Sequence, residues 1–141
     1  MPPMVDFMFA SLGERGRFET AIEPDAGLDW IAAEDIGAFA AAAFADPERF
    51  HGHEIDLSAE CATLGEVAAK ITEVTGKPVS AVTFSEDELI ARGEYPLQVR
   101  SQLWDNVEGY KVDLEAVRRW GVPLTTLDEF IEQHRDQFVI A

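Results

Sequence analysis

Asp29-Trp-Ile-Ala-Ala-Glu-Asp-Ile-Gly37, running on into Ala38-Phe-Ala-Ala-Ala-Ala-Phe44, is the stretch that decides the fold. Leu28–Ala32 is apolar and short enough for a strand, and a turn carrying two carboxylates follows it. Ile36, Phe39, Ala40, Ala43 and Phe44 then recur at helical spacing, which predicts a helix with these residues on its buried face. Glu34 or Asp35 is expected to cap that helix. A carboxylate there can accept the free amide hydrogens of the first turn, and negative charge suits that end. Asp46-Pro47 stops the helix. A strand handing over to a helix in this way belongs to an α/β sheet.

Outward from this unit, the pattern becomes more helical towards the C-terminus. Upstream, Met4, Phe7, Met8 and Leu12 share one helical face, and Gly13–Arg17 interrupts it. Phe18–Ile22 reads as a short strand, and Pro24-Asp-Ala-Gly27 as a turn. Downstream, Glu54–Leu57 is expected to be a strand. Thr63–Thr75 is the clearest helix: Thr63 and Glu66 form a capping box, Leu64, Val67, Ala68, Ile71 and Val74 repeat, and Gly76 with Pro78 closes it. Val79–Phe84 alternates as a strand does. Ser85 and Glu88 form a second box, across which Phe84 can staple onto Leu89. Pro96 suits the first turn of a helix burying Val99, Leu103, Trp104 and Val107. Asp113 caps a short helix with Leu114 and Val117, which Gly121 and Pro123 end. Thr126 and Glu129 open the last helix, with Leu127, Phe130, Ile131 and His134 on its inner side. The expected architecture is one α/β domain over residues 1–141, a few short strands with about six helices, without linker or repeat.

The charge balance is lopsided. Eleven Lys+Arg stand against 27 Asp+Glu in 141 residues, a formal charge of −16, while 47% hydrophobic content is ordinary for a folded chain. Such a surface repels nucleic acid and anionic membranes, so neither is an expected partner. Cys61 is the only cysteine, which excludes an intrachain disulfide and a cysteine-rich zinc site. Met1–Leu12 has no basic n-region and no run approaches a membrane span, so a cytoplasmic location is the default.

Laid out in this order, the chain resembles the C-terminal half of the NmrA-like family, atypical relatives of the short-chain dehydrogenases. The residues that carry the likeness are Pro3–Phe9, Trp30–Gly37, Asp46-Pro-Glu-Arg-Phe50, Gly52-His-Glu-Ile-Asp-Leu57, Thr63-Leu-Gly-Glu-Val67, Gly76-Lys-Pro-Val79, Gly109-Tyr110 and Thr125–His134. The resemblance implies the substrate-side portion of a Rossmann-type fold. Family members begin with a strand, a Gly-rich turn and a helix whose N-terminus receives the pyrophosphate of NAD(P). Of the ten glycines here, none forms Gly-x-x-Gly-x-x-Gly or Gly-x-Gly-x-x-Gly after a strand, so no cofactor is expected in this chain alone. In family terms this is half a protein, and Met1 favours an independently translated product. The strands around Trp30 and Ile55 would then lose their neighbours, which leads us to expect a homodimer formed through an exposed sheet edge.

Candidate chemistry is sparse. Tyr95 and Tyr110 are the only tyrosines and neither has a lysine four residues on, so the Tyr-x-x-x-Lys pair of ordinary short-chain dehydrogenases is missing. NmrA-like proteins commonly lack it too. Glu34 and Asp35 are better read as helix caps than as general bases. His51 and His53 lack a third ligand at useful spacing, so no metal is expected, and His134 reads as a core-edge residue. No cation neighbours Cys61 in sequence to activate it, and no Gly-x-Ser-x-Gly elbow points to a hydrolase. The candidate ligand-binding residues are Pro3, Met4, Phe7, Met8, Trp30, Trp104 and Tyr110, the first four because the resemblance places their segment near the nicotinamide and substrate cleft. Core packing is the competing reading for them. Three functions follow: a truncated NmrA-like module binding a small apolar molecule or a protein; the C-terminal portion of an NAD(P)H-dependent oxidoreductase completed by another chain; or a cofactor-free cyclase or isomerase reusing the cleft. The family includes transcription co-regulators that act by protein contact and sense the redox state of NAD(P), which suits the first.

Overall fold

The computed structural model describes residues 12–140. Two small sheets carry the helices. β1 (Arg17–Thr20) pairs in parallel with β4 (Ser80–Thr83), and β2 (Leu28–Trp30) pairs antiparallel with β3 (Glu60–Ala62). Between and after them run α1 (Ala33–Ala45), α2 (Pro47–Phe50), α3 (Leu64–Thr75), α4 (Glu86–Ala91), α5 (Pro96–Val107), α6 (Leu114–Arg118), α7 (Leu127–Gln133) and a 3-10 turn at Arg135–Gln137. Residues 12–15 are helical, and Gly16, at a φ of 63° that suits only glycine well, turns the chain into β1. The order is the mixed α/β, then helical, arrangement that the patterning predicts.

The main core lies where α3 crosses β1 and meets α7. Leu64, Val67, Ala68 and Ile71 of α3 pack with Phe18, Leu127 and Ile131, and Phe138 and Ile140 close the same cluster. Thr63 and Glu66 make the capping box, as do Ser85 with Glu88 and Thr126 with Glu129. A smaller cluster of Ala21, Leu89 and Val99 holds α4 and α5, with Phe84 against it as the staple predicts. Gln102 and Asn106 of α5 then pin the end of β1: Gln102 Oε1 accepts from the Ala21 amide at 2.8 Å and Asn106 Oδ1 from that of Glu23 at 2.7 Å. His134 packs on Phe130 with ring centroids 4.2 Å apart, at the edge of the core as expected.

Four expectations are corrected, and three of them concern residues 33–57. Glu54–Leu57 is not a strand. The chain that becomes β3 passes through these residues, but its antiparallel neighbour leaves at Trp30 to become α1, so among the described residues they have nothing to pair with. Pairing begins only at Glu60, helped by the Ala59 amide donating to the Trp30 carbonyl at 2.8 Å. The predicted inner face of α1 is largely bare: Phe39 is buried, but Ile36 is 49% and Phe44 86% exposed, and Ala40 is exposed too. The helix also lacks its carboxylate cap. Ala32 occupies the cap position without a side-chain hydrogen bond, while Glu34 and Asp35 lie within the first turn, where their charge favours the helix dipole without capping the helix. On α5, Trp104 (40% exposed) and Val107 lie outside the core because Val99 and Gln102 already face it.

Candidate functional site

Asp35 has a structural task across the molecule. Its carboxylate is buried and accepts from both the amide (2.7 Å) and the hydroxyl (2.9 Å) of Thr125, which moors the start of α1 to the segment leading into α7. Glu34 is exposed. Trp30 is also a core residue, 8% exposed, with its indole N–H donating to the Ala62 carbonyl at 3.0 Å. The gap beside it, lined by Ile31, Ala59 and Thr125, is about 20 Å³, room for a water and no ligand.

Of the candidate ligand residues, Trp104 and Tyr110 are brought together. Their rings meet edge to face at 5.1 Å, and Tyr110 is 73% exposed. Tyr110 lines an open cleft of about 550 Å³ with Asp29, Cys61, Asp105, Lys111 and Asp113. Asp29 holds the cleft wall by accepting from the Val112 amide at 3.3 Å. Partial burial pushes the Asp105 carboxyl above its ordinary value. Burial first, then the carboxylates of Asp29 and Glu66, pushes the Cys61 thiol up, so it is a poor nucleophile. Pro3, Met4, Phe7 and Met8 lie outside the described residues. Among the described residues no group of three or more His, Cys, Asp or Glu side chains is arranged to hold a metal. His53 instead packs edge to face on Trp120, whose ring also stacks on Phe50 at 4.6 Å.

The feature with the least internal explanation is the bare side. α1 has the four-residue α2 as its main packing partner, and α2 is fastened elsewhere, with Arg49 donating to the Trp120 carbonyl at 2.6 Å. Ile36, Ala40 and Phe44 share one exposed face of α1. Beyond the α2 turn, residues 54–57 have no ladder partner among the described residues, and their backbone groups make no hydrogen bond there. The composition of α1 carried a signal for this: a helix apolar nearly all round is one that expects cover on more than one side.

Residues 7–131 match the sequence profile of the NmrA-like family. No curated protein matches the chain. Among solved structures, an NADPH-dependent quinone oxidoreductase from Escherichia coli (QOR2) is 25% identical with a TM-score of 0.70, over 91% of this chain and 50% of that one. A Citrobacter sp. triphenylmethane reductase in complex with NADP(H) is 22% identical with a TM-score of 0.63, over 89% of this chain and 46% of its own. NmrA, a negative transcriptional regulator in complex with NAD, is 19% identical with a TM-score of 0.59, over 83% and 42%. The last two likenesses speak to fold alone. The chain spans about half the length of these structures.

Proposed function

Because the chain belongs to the NmrA-like family, we propose that it works as a protein-interaction module made of the family's substrate-side half, with no NAD(P) site of its own. The bare side is the observation that carries this reading. An exposed phenylalanine and isoleucine on one helix face, together with a backbone stretch that has no ladder partner among the described residues, make the kind of surface that a monomer seldom leaves open. Covering Phe44 and Ile36 would stabilise a complex by about 3–5 kcal/mol before the costs of association. The charge of −16 supports a protein partner over DNA or RNA.

The absence of a Gly-rich turn after a strand supports the second half of the proposal. Titration of the isolated chain with NADPH, followed by nucleotide fluorescence, is expected to show no saturable binding. Tight binding would contradict it. Sedimentation across the micromolar range then asks whether the partner is a second copy.

A second reading has its own support. The cleft at Tyr110, with Trp104 beside it, is large enough for a small aromatic molecule, and the quinone oxidoreductase is 25% identical. In that reading the chain is the C-terminal portion of an NAD(P)H-dependent oxidoreductase, and a separate nucleotide-binding half completes it. NADPH oxidation that appears only on adding such a half would favour this reading. A cofactor-free cyclase or isomerase draws least support, because the cleft is open and Asp105 is its one carboxyl held above the ordinary range by burial.

A further inference from the structure

We propose that residues 54–57 are a receptor edge for an added β-strand from a different polypeptide, one that alternates apolar with basic side chains. The inference rests on the interaction reading above and specifies its partner.

The edge is shaped for a strand. Burial alternates along it with period two: Glu54 and Asp56 are exposed, Ile55 and Leu57 half-buried. The segment runs directly into the paired strand β3, and Ser58, fully buried, anchors the junction by donating to the Glu60 carbonyl at 3.2 Å. Its amides and carbonyls are unpaired among the described residues for the topological reason already given, the early departure of β2. An added strand satisfies those groups and sets its own alternate side chains against Ile55 and Leu57.

Charge selects the occupant. Two copies paired antiparallel about Ile55 would set Glu54 of each opposite Asp56 of the other, placing all four carboxylates on one face. Paired parallel and in register, the two copies would oppose Glu54 to Glu54 and Asp56 to Asp56. Like charges directly opposite destabilise a ladder, and each copy already carries −16. Lysine or arginine at the facing positions turns the same geometry into attraction. Asp46 and Glu48 extend the acidic character upstream, while Arg49, the cation beside them, is engaged with the Trp120 carbonyl.

The test uses the full chain and a short fluorescent peptide alternating lysine and valine, read by anisotropy. A peptide of equal charge interrupted by a central proline is the control, because it keeps the Coulomb attraction and loses the ladder. The alternating peptide is expected to bind roughly tenfold more tightly than the control, an advantage that Ile55→Pro removes. The double variant Glu54→Lys, Asp56→Lys alters only exposed side chains and should transfer the preference to a peptide alternating glutamate and valine. Equal binding of both lysine peptides, or an unchanged preference in the double variant, overturns the proposal. So does a micromolar dimer that Ile55→Pro dissociates, although that outcome leaves the interaction reading standing. Failure of that reading has a different signature, saturable NADPH binding by the chain alone.

Discussion

Helices α3 and α1 are nearly the same length, 12 and 13 residues, yet they are finished to different degrees. α3 has a capping box at its start, Gly76 in the left-handed conformation at its end, and four apolar side chains sunk into the core. α1 has no side-chain cap and one buried apolar residue, Phe39, while Ile36, Ala40 and Phe44 face outward. Propensity does not separate them, since the alanine-rich α1 is intrinsically the better helix former. What separates them is whether the apolar stripe has something to pack on. One region of the molecule is complete, and the other has the composition of a core without the cover.

Single substitutions should expose that difference most strongly. Phe18 of β1 is fully buried in the cluster with the apolar face of α3, so Phe18→Ala should lower unfolding stability by about 3–5 kcal/mol in urea titrations. Phe44→Ala removes a side chain of the same size and should change stability by less than about 0.5 kcal/mol in the chain alone. A large cost at Phe44 would mean the bare side is packed after all.

The link between the two regions ranks next. Asp35→Ala strips the buried acceptor from the Thr125 amide and hydroxyl and should cost about 1–3 kcal/mol. Thr125→Val should cost less, and the two losses should not add, which a double-mutant cycle would measure.

The pattern of success and failure in reading the sequence follows the same boundary. Thr63/Glu66, Ser85/Glu88 and Thr126/Glu129 were legible because a capping box closes within four residues and needs nothing remote. The Phe84–Leu89 staple is equally local. Glu54–Leu57 misled because alternation describes a strand's side chains while a strand exists only with a neighbour, and β2 turns away too soon. Asp35 has the chemistry of a cap but sits too far into the helix, and a partner 90 residues away claims it. At the candidate site, Tyr110 and Trp104 could be named from type, but their edge-to-face contact depends on how the 109–113 segment is held by Asp29. Helical periodicity puts Ile36 and Phe44 on one face with Phe39 without showing what that face meets.

Smaller effects come from ionisation. The backbone amides of Thr63, Ser85 and Thr126, with their hydroxyls, hold the carboxyls of Glu66, Glu88 and Glu129 below the ordinary value of 4.5. A depressed folded value means the contribution is complete above pH 4.5 and disappears as pH falls through the lowered values. The triple glutamine variant should therefore lose part of the acid-side slope of stability against pH, all of it in the finished region. Asp105 has the opposite sign. Burial raises its value, so its ionised form opposes folding, and Asp105→Asn should slightly raise the thermal midpoint at neutral pH.

Hydrogen exchange of the isolated chain at low micromolar concentration, resolved to short peptides, tests the central claim most directly. Amides of residues 54–57 should exchange at close to the unprotected rate while those of Leu64–Thr75 stay strongly protected. Protection at 54–57 equal to that of α3 would contradict the account, because the edge would already be paired.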